Sequence, residues 1–473
     1  MHVLYNLITL PFIGEVNLST GLLSLFFVCL LAVVGFEFVN GFHDTANAVA
    51  TVIYTKALKP MVAVPWSGTF NFLGVFTGGV AVAMGILKLV PLNEMMALPT
   101  AVGASMVLAV LLASVIWNLG TWWLGIPCSS SHTLIGAMIG AGIGFTMFYK
   151  GSVNWDKAGE IGLSLLVSPI VGFGLAVALM LFLRHVVKAP ILFHAPTGEN
   201  DRPPILIRLL LITTCTLVSF FHGSNDGQKG VGLLMLILIA FLPAKFALDR
   251  NVSDDKILVS LNHVEQSLPR ISGADDKSKA AVSDLGVAVT TAKATIAGGM
   301  SRDDKHVYAF RKQVQAVAKD VKAVMADKAV TIPDEDRKAL GTVPAELTKT
   351  TEYAPVWVIA TISLSLGIGT MIGWKRIVLT IGEKIGKEHL NYAQGASAEI
   401  IAASTIGIST VIGLPVSTTH VLSSGIAGAM VASNGTKNLN PTTLKAIAMA
   451  WILTLPVSIL LALGLFLIFH LFV

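Results

Sequence analysis

The sequence predicts an all-α integral membrane protein: two inverted repeats of about five membrane segments each, plus a small soluble helical insert. Three observations lead there. First, 54 % of the 473 residues are hydrophobic and only 13 % are charged, with a mean hydropathy of +0.74. A soluble domain carries about 25 % charged residues, so this chain cannot coat a soluble surface. Second, the charges are concentrated in one stretch. Residues 245–352 hold 17 Lys/Arg and 16 Asp/Glu, more than half of the chain's charged residues. Third, two motifs recur in the same order in the two halves. A secreted soluble enzyme, a nucleic-acid binder and a disordered scaffold are excluded together. The net charge of +5 follows from basic loops on one membrane face and implies no nucleic acid.

About 20 apolar residues cross the hydrocarbon as a helix. Apolar segments run at 19–55, 61–87, 98–124, 131–149 and 160–183, then at 205–243, 354–373, 393–413, 417–433 and 444–472. The first 18 residues lack Lys and Arg, unlike a cleaved signal peptide. Lys56 and Lys59 follow the first segment, Arg184, Lys188, Arg202 and Arg208 surround the midpoint, and Lys375, Arg376, Lys384 and Lys387 follow the seventh. With these loops cytoplasmic, the alternation closes. Both termini and the insert then fall on the outer, periplasmic side. Five crossings per half give the halves opposite orientation, as in many secondary transporters.

The repeat is visible in the residues. Gly125-Ile-Pro-Cys-Ser-Ser-Ser-His132-Thr-Leu134 matches Gly413-Leu-Pro-Val-Ser-Thr-Thr-His420-Val-Leu422, and Gly41-Phe-His-Asp44 parallels Gly223-Ser-Asn-Asp226. Asp44 and Pro127 are 83 residues apart, while Asp226 and Pro415 are 189 apart. The excess of 106 residues is close to the length of the charged stretch. The domains expected are a first membrane repeat at 19–184, a second at 205–244 and 353–473, and a soluble insert at 245–352. In the insert, Leu258, Leu261, Val264 and Leu268, and then Val307, Phe310, Val314, Val317 and Val321, recur at helical spacing. Ser301 with Asp304 reads as a capping box. Cys29, Cys128 and Cys215 lie in apolar stretches and read as buried structural thiols.

Three constellations carry chemistry. Glu37, Asn40, Asp44 and Asn47 are spaced 3, 4 and 3 on one helical face. Acids and amides in an apolar segment face a partner or a wet cavity, and their oxygens suit Na⁺, Mg²⁺, Ca²⁺ or a proton. The second copy is His222, Ser224, Asn225, Asp226, Gln228 and Lys229. Both motif segments exceed one bilayer crossing, which predicts a helix broken or strongly tilted at the glycine-containing motif. The third constellation is the duplicated Pro-x-Ser-[Ser/Thr]-[Ser/Thr]-His turn. Proline ends one helix and Ser/Thr caps the next. Each copy therefore presents hydroxyls and a helix N-terminus suited to an oxyanion. A Ser–His hydrolase is excluded, because no nucleophile elbow or acidic orienter accompanies the pair. Asp44 and Asp226 would repel a bound anion unless a cation or proton joined them, which predicts cation–anion symport.

At these residues the chain resembles the inorganic phosphate transporter family, most of all its bacterial low-affinity permeases. Asn40 to Tyr54, His222 to Gly230 and both Pro-x-Ser-x-x-His turns carry the resemblance. It implies phosphate uptake across the bacterial inner membrane, a duplicated inverted fold and re-entrant helical hairpins bearing the Ser/Thr turns. It also implies transport of phosphate as a neutral complex with a divalent metal such as Mg²⁺, Ca²⁺ or Zn²⁺. The common family form is Gly-Ala-Asn-Asp-Val-Ala-Asn. Here Phe42 and His43 replace Ala and Asn, and Lys229 replaces the last Asn of the second copy. A histidine titrates near neutral pH and Lys229 could take a cation's place, so both departures favour proton over sodium coupling.

The reading is a proton-coupled phosphate symporter, not an enzyme, with no resident cofactor. Ser129, Ser130, Ser131, Ser417, Thr418 and Thr419 are the expected phosphate ligands. Asp44, Asp226, Asn47, Asn225 and Gln228 are expected around the coupling ion or metal. His43, His132, His222, His420 and Glu37 are candidates for proton transfer. The expected partners are phosphate, the proton, divalent cations, the lipid bilayer and a second copy in a homodimer. The alternatives are a sodium-coupled phosphate symporter, a divalent-cation transporter with an incidental anion, and a receptor or channel with the insert as sensor.

Overall fold

The computed structural model describes residues 5–96, 98–196, 198, 201–303 and 306–473; the side chains of residues 5, 6, 45–47, 93 and 96 are outside the description. The chain forms two compact units, Met1–Ile237 with Pro355–Val473, and Leu238–Ala354.

The first unit is helical. Its main helices are α1 (Thr20–Tyr54), α2 (Pro60–Thr77), α3 (Ala81–Leu87), α4 (Thr100–Trp123), α5 (Ser130–Phe148), α6 (Trp155–Phe182), α7 (Ile205–Phe241), α8 (Val356–Thr370), α9 (Tyr392–Ile412), α10 (Thr418–Asn434) and α11 (Pro441–His470). Among the described residues of the whole chain, seven helices are long and apolar enough to cross a membrane, or up to nine when each of two bent pairs counts as one span. Large apolar side chains such as Leu31, Met61, Ile170, Leu206, Val411 and Leu460 face outward, as a lipid-facing surface requires.

The two repeats exchange partners. α1 packs on α8, and α7 on α2; α6 packs on α10, and α11 on α5; α4 packs on α11, and α9 on α6. Each contact maps onto its counterpart when the repeats are swapped, so the halves interdigitate. Paired glycines set the distances. A Cβ at Gly41 would stand 2.5 Å from Leu366 O, and one at Gly223 would stand 2.1 Å from Asn71 O. Gly140 and Gly428 repeat this against Ile459 O at 2.1 Å and Phe173 O at 2.5 Å. Small residues allow helix backbones to touch where no hydrophobic effect drives them together.

This packing corrects one expectation. α1 and α7 run unbroken through Gly41 and Gly223. The motif glycines serve close helix approach rather than a break. At 35 and 37 residues and about 1.5 Å per residue, these helices outreach the hydrocarbon by tilt or by protrusion. The break lies elsewhere. α2 and α3 meet at 71°, at Gly78 and Gly79, where Gly79 takes φ +80°, a conformation glycine adopts without strain. A hairpin, Tyr5–Leu10 with Gly14–Ser19, and a two-residue antiparallel pairing of Ser272–Gly273 with Val330–Thr331 are additions to the all-α expectation.

The second unit carries helices Asp254–Ser267, Asp276–Ala297, Val307–Ala326 and Asp334–Thr351 around its own apolar core. Val307, Phe310, Val314, Val317 and Val321 are all buried there, as are Leu261 and Val264, whereas Leu258 and Leu268 are half-buried. The helix expected near Ser301 begins at Val307. Ser301 Oγ instead donates to Asp254 at 2.5 Å, and Asp304 lies outside the described residues. The three cysteines are buried and unbridged.

Candidate functional site

The site forms where the two Ser/Thr turns meet the two acidic motifs. Ser129 and Ser417 cap α5 and α10, accepting from His132 N and His420 N at 3.2 Å each. Both first turns are buried inside the unit, as re-entrant hairpins require. The helix N-termini converge on α1. Ser130 Oγ donates to Asp44 Oδ2 at 2.7 Å, and Thr419 Oγ1 donates to Asp44 Oδ1 at 2.7 Å. One carboxylate thus joins the two repeats' turns, which lie 86 and 375 residues away from it in the chain.

The second motif closes the cluster. His222 Nε2 lies 3.9 Å from Asp44 Oδ2 and 3.6 Å from Asp226 Oδ2. Ser130 Oγ also approaches Asp226 at 3.5 Å. Asp44, His222 and Asp226 each offer a ligand atom within 4.8 Å of the others, a spacing that could hold a metal ion. His222 Nδ1 meets Asn71 Oδ1 at 2.8 Å, which leaves Nε2 aimed between the carboxylates. Lys229, fully buried, places Nζ 2.6 Å from Asp226 Oδ1 and donates to Ser131 Oγ at 2.5 Å. Thr418 Oγ1, His222 Nε2 and His420 Nε2 are buried with no hydrogen-bond partner among the described residues.

The remaining expected residues have identifiable local partners. His43 bridges Asp44 at 3.3 Å and Thr121 Oγ1 at 3.2 Å. Asn225, at the equivalent position, ties Thr410 Oγ1, Leu414 O and Val416 N, and so holds the turn before α10. Gln228 accepts from Val82 N and donates to Gly78 O, both at 2.8 Å. It supplies the hydrogen bonds that the α2–α3 break removes, because buried backbone groups need partners. Ser131 Oγ donates to Val416 O at 2.9 Å. His132 and His420 face each other with ring centroids 4.5 Å apart, and Trp451 stacks on His420 at 4.0 Å. Glu37 binds Asn40 Nδ2 at 3.3 Å and packs against Gly230, away from Asp44. The Asn47 side chain lies outside the described residues.

Two residues escaped the sequence reading. Glu399 on α9 is fully buried and accepts from Thr51 and Thr214. An acid inside the 393–413 apolar segment was signal enough to find it. Asn71 holds His222, and nothing in its local sequence distinguishes it from a packing amide.

Residues 40–462 match the phosphate transporter family. The chain belongs to that family. Phosphate is the family's cargo, and transport rather than catalysis is its activity. The transporter is 41 % identical to the low-affinity inorganic phosphate transporter PitA of Escherichia coli K12, with 95 % of this chain and 97 % of that one covered. It is 40 % identical to PitB of the same organism, covering 96 % and 98 %. A low-affinity inorganic phosphate transporter of Buchnera aphidicola from Acyrthosiphon pisum is 41 % identical over 93 % and 95 %. Among solved structures, one titled "The sodium-dependent phosphate transporter" aligns with a TM-score of 0.60 and 17 % identity, covering 95 % of this chain and all of that one. That likeness supports the fold alone. With these relatives and its apolar helices, the transporter is a multi-pass inner-membrane protein.

Proposed function

We propose that this transporter imports inorganic phosphate by proton symport and carries it as a neutral complex with a divalent cation. The observation that carries the reading is Asp44, which holds the hydroxyls of both converging helix N-termini. An ionised Asp44 occupies Ser130 and Thr419. A protonated Asp44 accepts less strongly and releases hydroxyls to phosphate oxygens, alongside Thr418 and the first-turn N–H groups. Proton and phosphate therefore favour each other's binding. The divalent ion travels as cargo. Two carboxylates and one imidazole suit Zn²⁺ or Mn²⁺ as well as the oxygen-seeking Mg²⁺. The insert, both termini and the Lys/Arg-rich loops take the orientation expected from the positive-inside rule, with the insert periplasmic.

The test is ³²P-phosphate uptake into proteoliposomes under a pH gradient or a sodium gradient, with and without Mg²⁺ or Zn²⁺. Uptake driven by the pH gradient and raised by the metal supports the reading. Uptake driven by sodium alone overturns the proton coupling, and metal uptake persisting without phosphate overturns the cargo.

A further inference from the structure

Lys229 is a fully buried ammonium in the centre of the unit. Its Nζ lies 2.6 Å from Asp226 Oδ1 and 2.5 Å from Ser131 Oγ. Ser131 stands in the first turn of α5, and its hydroxyl donates on to Val416 O. The ammonium therefore sits among a carboxylate, a hydroxyl and, through that hydroxyl, a carbonyl of the opposite turn. Hard oxygens of this kind are what an alkali cation selects.

The charges around it can be counted. Asp44 and Asp226 contribute two negative charges, and Lys229 returns one positive. His43 faces Asp44, and His222 faces both carboxylates. Glu37 packs against Gly230, next to Lys229 in the chain, and has no lysine or arginine within ion-pair distance among the described residues. Asp226 Oδ1 has Lys229 as its ion-pair partner and no other hydrogen bond among the described residues. Removing the ammonium alone leaves a buried carboxylate oxygen uncompensated, which is among the costliest changes a protein interior can suffer.

We propose that Lys229 is the transporter's own monovalent cation, tethered to the chain, and that it determines which cations the transport cycle needs. It compensates Asp226 in every state of the cycle. The core then needs one further positive charge from solution rather than two. Replacing the ammonium by a neutral group opens its place, between Asp226 Oδ1 and Ser131 Oγ, to Na⁺ or Li⁺. Lys229 is thus a specificity-determining residue for the coupling ion.

The experiment uses the full-length transporter, purified and reconstituted, as wild type, K229N and the double variant D226N/K229M. The double variant removes both members of the pair and keeps the net charge of the core. Apparent melting temperature is read in sodium, lithium or choline chloride, and phosphate uptake in the same salts. The wild type and the double variant are expected to melt alike in all three. K229N is expected to be stabilised by Na⁺ and Li⁺ over choline, and its uptake to rise about tenfold with Na⁺. If K229N fails to fold in choline, the proposal requires sodium to restore it.

K229N that folds and melts identically in sodium, lithium and choline overturns the proposal. So does a double variant that responds to sodium as strongly as K229N, or K229N that sodium cannot rescue while the double variant folds. The uptake arm rests on the phosphate-transport reading. The melting arm does not, so failure of one is distinguishable from failure of the other.

Discussion

Neutralising Asp44 without changing its shape tests the core most directly. In Asp44→Asn, one of the two positions that accept hydroxyls at 2.7 Å from Ser130 and Thr419 becomes an NH₂ group, which cannot accept. The other keeps a neutral amide oxygen. A hydrogen bond to a charged acceptor contributes about 1.5–3 kcal/mol, against about 1 for a neutral one. Weakening one bond and losing the other costs roughly 2–5 kcal/mol, or about 30- to 4,000-fold in an equilibrium constant. That energy holds together the turns of the two repeats, so the cost falls on the apposition of α5 and α10. Asn is also a permanent mimic of the protonated acid. The variant is expected to insert, to exchange phosphate for phosphate across proteoliposomes, and to lose accumulation driven by a pH gradient. The two assays are run on one preparation, with insertion checked by membrane yield. Accumulation near the wild-type rate in Asp44→Asn would refute both the proton role and the hydrogen-bond argument.

Other outcomes follow from single contacts. Ser130→Ala is expected to raise the phosphate concentration for half-maximal uptake about 5- to 10-fold, the effect of one lost hydroxyl bond; an unchanged value removes Ser130 from the site. Gly223→Ala puts a Cβ 2.1 Å from Asn71 O, whereas Gly35 has nothing within 4 Å. The first is expected to lower the apparent melting temperature through about 1–3 kcal/mol of overpacking, and Gly35→Ala to leave it unchanged. In the insert, Arg270 and then Ser267 hold the Asp336 carboxyl down from 3.8 to about 2. Its folded-state pKa is depressed, so the stability it contributes is present above about pH 4 and is lost as pH falls through about 2. Hydrogen exchange of residues 254–347 in the full chain should lose protection across that window, and Asp336→Asn should flatten the loss; equal profiles would dismiss the pair.

The site was partly legible because helical spacing is local. Asp226 and Lys229 stand three residues apart and pair on one helix face, which any helix of that sequence would produce. Ser129 and Ser417 cap their helices for the same reason. The tertiary partners of Asn225 and Gln228 were not legible, for the converse reason. Their amides read as ion ligands in the sequence, and in the structure they bond the turn before α10 and the α2–α3 break. Nothing local in the sequence shows where a second helix will need a hydrogen bond. The motif glycines read as breaks because helix length exceeded one crossing, and only the packing of α1 on α8 and α7 on α2 gave them their use.

By itself the sequence determined that the chain lives in a membrane, that its body is duplicated, and which side chains are chemically out of place in lipid. Those properties depend on transfer energies and on spacings shorter than a few helical turns. Only the tertiary structure decided that Ser130 and Thr419 close on one carboxylate, that His222 stands between two, and that Lys229 reaches the opposite repeat's turn through Ser131. These contacts join residues up to 375 apart in the chain. They depend on how two interdigitated repeats bring their helix ends together, which no local pattern encodes.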